Sequence, residues 1–254
     1  MNNLKNMKKI KFIISSILLF ICIQSHAQNT IFLSQGRIEF ERKVNLYAQI
    51  DDEDDDAWKD LMKKTTPKFK SSYFDLSFSN NKTLYKPGRD NPDNNKMWQR
   101  PAEDNIVFID LDKEQAVSEK NIFDQRFLVQ DSARKIKWKI TNETKKIAGF
   151  DCRRANALIM DSIYVVAFYT DEITTPGGPE SFSGLPGMIL GVAIPHEHIT
   201  WFATKVYAEN VSPTALIAPA RGKKTNNASM LLQLKDALKD WGKWGKSHIK
   251  AAML

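Results

Sequence analysis

The sequence predicts a mainly β protein: a curved antiparallel meander sheet, an open barrel or bowl, with a C-terminal amphipathic helix packed on it. Three observations predict it. Apolar and polar residues alternate with a period of two over short segments, as in residues 36–50, where Ile38, Phe40, Val44 and Leu46 share one parity. These segments follow one another through short turns, with no helical pattern between them. Only residues 229–245 keep a long 3.6-residue stripe, carried by Leu231, Leu234, Leu238 and Trp241.

The elements follow in chain order. Lys5, Lys8, Lys9 and Lys11 precede an apolar stretch over residues 12–23, and Ser25-His26-Ala27 ends it in a small-x-small pattern. Residues 1–27 thus read as a signal peptide, too short in its apolar part to span a bilayer. Cys22 lacks the small residues that a lipoprotein signal places before its cysteine. Residues 28–254 then form a single β domain. Strands are expected over residues 36–50, 72–78, 105–110, 123–129, 135–140, 150–160, 162–170, 187–194 and 198–208, with a hairpin turn at Met160-Asp161-Ser162. On the strand over 162–170, Val165, Ala167 and Tyr169 share one face. Residues 51–56 are an acidic run leading into a short helix over 57–64. Residues 85–100 and 213–227, rich in Pro, Asn, Asp and Gly, read as loops. Asn227 or Ser229 caps the C-terminal helix.

The charge balance limits the partners. The precursor carries a net +7, and removing the lysines of residues 1–27 lowers it to +3. That weak excess, with export, points away from nucleic acid. No apolar run in the mature chain is long enough to cross a membrane as a helix. Cys152 is left without a second cysteine, so the fold rests on its core rather than on a disulfide. The acidic run lacks the glycine and the alternating ligands of a calcium loop.

Two stretches attract functional interest. Around Tyr169, Thr170, Gly178, Pro179, Gly184, Leu185, Pro186 and Gly187, proline fixes φ and glycine supplies positive φ. A type II turn with Pro186 and Gly187 at its centre follows, with Leu185 pinned in the core. This is either a rigid corner or a recognition loop offering the backbone of Gly177, Gly178 and Gly184 to a partner. Ser181 and Ser183 have no His/Asp partner in sequence, so nucleophilic chemistry gains no support. The second stretch is His196-Glu197-His198. On a strand, residues two apart face the same way, so both imidazoles would share a Zn²⁺ or Cu²⁺, with Cys152, Asp151, Asp171 or Glu172 as candidate third ligands. The plain alternatives are solvated edge histidines and a small buried cysteine.

Residues 138–190 carry a resemblance. Trp138 is followed by T-x-E-T-K-x-I-A-G-x-x-C, ending at Cys152, then by Tyr169-Thr170, Gly178-Pro179 and Gly184-Leu185-Pro186-Gly187-Met188-Ile189. This resembles the GLPGLI family of exported Bacteroidetes proteins, with Met188 where the family name has Leu. It is also similar to the N-terminal bowl-like domain of some peptide-N-glycosidases, whose chemistry belongs to a separate downstream domain. With the sequence ending at Leu254, glycosidase activity is not carried over. The resemblance implies an exported, non-catalytic binding or accessory protein, periplasmic, outer-membrane-associated or secreted. Its expected partner is an envelope protein, such as an outer-membrane transport system, or a small or extended ligand lying in an aromatic groove of the concave face. The alternative is a periplasmic copper or zinc protein built on His196 and His198.

Overall fold

The computed structural model describes residues 32–51, 56–94 and 101–254. The expected signal peptide, most of the acidic run and residues 95–100 lie outside the described residues.

The described strands are β1 (Gln35–Asn45), β2 (Phe69–Ser79), β3 (Lys82–Pro87), β4 (Ile106–Asp110), β5 (Gln115–Ile122), β6 (Gln125–Ser132), β7 (Lys139–Ile147), β8 (Phe150–Ile159), β9 (Ile163–Thr170), β10 (Met188–Ile194), β11 (Ile199–Tyr207) and β12 (Lys223–Thr225). They form one open sheet in the order β12-β6-β5-β4-β3-β2-β1-β11-β10-β9-β8-β7. Every pairing is antiparallel except the short β12–β6 edge. Two meanders, β1 to β6 and β7 to β11, are thus joined where β1 meets β11.

Connectivity forces the sheet to curve. Between β6 and β7 lie ten inter-strand steps in the order of the sheet, about 48 Å if flat. Yet only residues 133–138 link them, a reach of about 25 Å. The two sides must therefore curl toward each other, as expected for a bowl.

Alternation places the core. On β1, Ile38, Phe40 and Val44 are buried, and they meet Phe74, Leu76 and Phe78 of β2 and Val165, Ala167 and Tyr169 of β9 in the main cluster. Each fully buried aliphatic or aromatic side chain contributes about 1.5–3 kcal/mol. The segment over 171–187 folds onto the same cluster through Ile173, Phe182 and Leu185. Among the described residues, the aromatic side chains of this face are therefore packed in the core and line no open groove. Phe40, Phe74, Phe78 and Phe182 fill that core.

Several boundaries differ from the sequence reading. β1 ends at Asn45, whose side-chain oxygen accepts the Ala48 N–H at 3.2 Å. That cap starts helix α1 (Leu46–Asp51) where the period-two pattern predicted more strand. Helix α2 (Asp56–Thr65) covers the expected short helix. Residues 133–138 form no ladder, and the pairing begins at Lys139. β7 is an edge strand with mostly exposed side chains, so its sequence lacks alternation. The long helix divides into α3 (Asn227–Ala237) and α4 (Gly242–Met253). Asn226 caps α3 by accepting from the Ser229 N–H at 2.8 Å. Gly242, at φ +55°, makes the break. Leu234 and Leu238 are buried as the stripe predicts, but Trp241 is half exposed. Met230, Leu234, Ala252 and Met253 pack on Ile122, Phe127 and Val129 of β5 and β6.

Candidate functional site

The glycine-proline segment is a packed corner. Leu185 is buried and Gly187 has φ +137°. The expected type II closure is replaced. Gly187 N–H donates to Leu185 C=O at 2.7 Å, and Met188 N–H donates to Ile173 C=O at 3.1 Å. A Cβ at Gly187 would lie 2.1 Å from the Thr170 carbonyl oxygen, so only glycine fits beside β9. A Cβ at Gly177 or Gly178 would strike Thr83 or Ile189. Tyr169, Thr170, Gly178 and Pro179 are buried too, leaving Gly184 and Pro186 as the exposed members of the set.

The histidine pair is not on a strand. Residues Pro195–Glu197 form a 3₁₀ turn, and His198 closes it at φ +55°, with its N–H donating to Pro195 C=O at 3.1 Å. The expected two-residue strand spacing is thus corrected to a turn, because Pro195 starts it. Glu197 accepts from Lys250 at 3.3 Å. Among the described residues, no group of three or more His, Cys, Asp or Glu gathers as a metal site. Cys152 is fully buried on β8, and its thiol is pushed up to about 12 by burial, then by Asp151 and Glu172.

The structure brings together charged residues that sequence reading missed. Glu103, just before β4, accepts from Lys70 of β2 at 2.6 Å and faces Arg42 of β1 at 3.6 Å, all with side chains less than a tenth exposed. Deeper in, Asn105 donates its amide to Glu180 at 2.9 Å. Glu180 holds φ +52°, a costly backbone for a non-glycine residue. Burial pushes its carboxyl up, opposed by Lys120, Asn105, Arg42 and Arg134. Burial likewise pulls Lys120 down to about 8. Lys120 donates to the Ala252 carbonyl at 2.9 Å, Arg134 to that of Met253, and Ser181 to that of Leu254 at 3.0 Å. The carbonyls at the end of α4 are thus met by the buried Lys120, the partly buried Arg134 and, just beyond the helix, the Ser181 hydroxyl. Burial pushes the Tyr85 hydroxyl up, and the Trp201 indole is its polar neighbour inside the core.

A recess lies where β3 stops short. β2 pairs with β1 over its whole length, but with β3 only from Phe74 to Ser79. Beside residues 69–73 opens a pocket of about 640 Å³, lined by Lys70, Ser72, Tyr73, Arg89, Asn91, Asn94 and Glu103 among others. The Arg89 guanidinium lies 3.2 Å from the Tyr73 ring centroid. Asn91 and Asn94 both donate side-chain amides to the Ser71 carbonyl, at 2.8 and 2.7 Å. They occupy the position of a neighbouring strand's N–H groups.

The parity of β1 could have found part of this cluster. Arg42 falls in register with Ile38, Phe40 and Val44, and Lys70 with Phe74, Leu76 and Phe78. A cation on the apolar face of a strand requires a buried partner.

The family of the N-glycanase peptide, N-terminal domain (PNGase F-II) matches residues 89–232, more than half of the chain. The chain belongs to this family. The PNGase F-II N-terminal match takes in Glu103, Asn105, Lys120, Glu180 and the glycine-proline corner, and begins after Arg42 and Lys70. Among solved structures, PNGF-II in a P21 space group is similar at 16% identity and TM-score 0.50, over 80% of this chain and 32% of that one. PNGF-II in a C2 space group is similar at 15% identity and TM-score 0.49, over 77% and 31%. The chain spans about a third of the length of these PNGF-II chains. At such identity the likeness shows the fold alone. Comparison with curated proteins gives no match.

Proposed function

We propose that the protein is an exported, non-catalytic binding domain of GLPGLI type that holds an extended polypeptide segment beside β2. One observation carries this reading: among the described residues, 69–72 have a strand partner on the β1 flank only, and their other flank faces the 640 Å³ pocket, with the Gly88 N–H on the Tyr73 carbonyl closing its near end. An extended segment entering there adds to the sheet through main-chain hydrogen bonds. Its N–H groups replace the Asn91 and Asn94 amides on the Ser71 carbonyl. Arg89, Lys70 and Glu103 supply polar side-chain contacts. Export follows from the basic and apolar opening of the sequence, and it makes envelope or secreted proteins the partner class, an outer-membrane transport system included. The family name ties the relatives to N-glycanase, and a glycosylated polypeptide is the natural first ligand to try.

The test is amide-resolved NMR of residues 28–254 with synthetic ten-residue peptides, bare and N-glycosylated. Shifts should concentrate in residues 69–73 and 88–94. Arg89→Ala should weaken binding about tenfold, whereas Asn94→Ala, which removes a competitor for the Ser71 carbonyl, should leave it equal or tighter. Shifts confined to another face would refute the notch as the site. Release of glycan from the glycosylated peptide would refute the non-catalytic assignment.

A further inference from the structure

A second surface stands apart from the notch and does not depend on it. Phe123, Trp241 and Trp244 are large aromatic residues exposed to 50%, 50% and 44%. They converge on His248. Its ring lies 5.6 Å from Phe123, nearly parallel at 18°, and 6.0 and 6.2 Å from Trp241 and Trp244. Phe123 and Trp241 also touch, at 5.5 Å, and Trp58 of α2 meets Trp244 edge-on at 5.9 Å. Exposed rings from a hairpin and from the α3–α4 region are thus gathered at one place.

The backbone at Phe123 is an independent sign. It sits at the tip of the β5–β6 hairpin at φ +52°, a region that suits glycine or asparagine and penalises a bulky side chain. A half-exposed phenylalanine held in a strained conformation is a structural outlier of the kind that accompanies function.

The polar groups around the rings select the ligand. His248 Nδ1 lies 2.7 Å from the Trp244 carbonyl. A carbonyl only accepts, so Nδ1 carries the proton and Nε2 presents a lone pair in the neutral ring. Asp124 adjoins Phe123, and Asp240 adjoins Trp241, both exposed. Lys239 is paired with Asp236, and Lys59 with Asp56. Asp124 and Asp240, next in sequence to two of the rings, offset the exposed Lys243 and Lys246 beside Trp244, so this is not the single-sign basic face that an anionic lipid surface selects. The two carboxylates suit hydroxyl donors. A neutral sugar presents both halves of the complement: C–H faces for the rings and hydroxyls for the carboxylates and Nε2.

We propose that Phe123, Trp241, Trp244 and His248 form a stacking surface for a neutral oligosaccharide.

The experiment follows tryptophan fluorescence of residues 28–254 during titration with chitohexaose, mannohexaose and cellohexaose, beside sedimentation with phosphatidylglycerol vesicles. At least one oligosaccharide should change the emission saturably, and Trp241→Ala and Trp244→Ala should each weaken it about tenfold. Phe123→Asn removes a ring while suiting the left-handed backbone, so it should lose affinity with no loss of thermal stability. No saturable response to any of the three sugars would overturn the proposal. So would undiminished affinity in all three variants, or co-sedimentation with vesicles without a response to sugar.

Discussion

Lys70 and Glu103 meet at 2.6 Å inside the protein, with side chains 9% and 8% exposed. Their ion pair ties β2 to the segment before β4 and stands at the floor of the notch. Arg42 approaches the same carboxylate from β1, at 3.6 Å. Two cations therefore share one buried anion. The arrangement orients the pocket's charged lining, and its stability rests on every member being present.

Glu103→Ala should consequently be far more damaging than its single side chain suggests. It leaves Arg42 and Lys70 buried without this counter-charge, and the expected loss is about 3–5 kcal/mol. Replacing all three together, as Arg42→Met, Lys70→Met and Glu103→Leu, should recover most of it. Urea midpoints of the single and triple variants check this. A triple variant as unstable as Glu103→Ala would show that packing, rather than unpaired charge, sets the cost.

The two glycines flanking Leu185-Pro186 should differ sharply. Gly184 has φ +89° with nothing within 4 Å of an added Cβ. Gly184→Ala should therefore cost only the left-handed strain, about 1–2 kcal/mol. At Gly187 the added carbon meets the Thr170 backbone at 2.1 Å, and backbone must move. Gly187→Ala should cost about 3 kcal/mol or more. Equal denaturation midpoints for the two variants would mean that the corner yields more easily than its packing implies.

The glycine-proline corner was legible because proline and glycine act through local backbone geometry. The closed form of its turn was not, since Met188 takes its partner from Ile173, a contact that no local pattern encodes. The meander was legible where a strand buries one face, as on β1, β2 and β9. It was obscure at β5 and β7. β5 places Ser118 and Lys120 among its inward positions, and β7 lies on an edge, so neither alternates. The histidine pair misleads because strand spacing does not hold over residues 196–198, where Pro195 starts a 3₁₀ turn. The buried charges escaped notice because Arg42 and Lys70 look like ordinary surface cations until parity is applied to them. Glu180 gave no periodic signal at all, being held by a loop.

Cys152 should be chemically quiet in the native protein. Its thiol titrates near 12 instead of the ordinary 9.0, chiefly through burial. The thiolate fraction at pH 8 is therefore about a thousandfold lower than in an unperturbed cysteine. Reaction with an aromatic disulfide reagent should be correspondingly slow in buffer and rapid in about 6 M guanidinium. Fast stoichiometric labelling of folded residues 28–254, which hold Cys152 without Cys22, would contradict the burial of β8.

Lys120 and Glu180 should give the protein two opposite pH responses. The ordinary lysine value is 10.5, and in the fold Lys120 titrates at about 8. Between those values the unfolded chain binds more protons, so stability rises with pH across the window. Below it the buried ammonium costs about 3 kcal/mol relative to the neutral amine. Glu180 works the other way. Its carboxyl titrates above the ordinary 4.5, so the folded state holds the proton longer and stability falls as pH rises through that range. Urea unfolding from pH 4 to pH 10 separates the two. Lys120→Met should abolish the rise above pH 8, a difference of roughly 2 kcal/mol between pH 7 and pH 10. Glu180→Gln should flatten the fall above pH 4.5. It should also move the alkaline rise to lower pH, because Glu180 is the charge that supports the Lys120 ammonium. Parallel stability curves for Lys120→Met and the unmodified protein would mean that the amine reaches water and is not held against the end of α4.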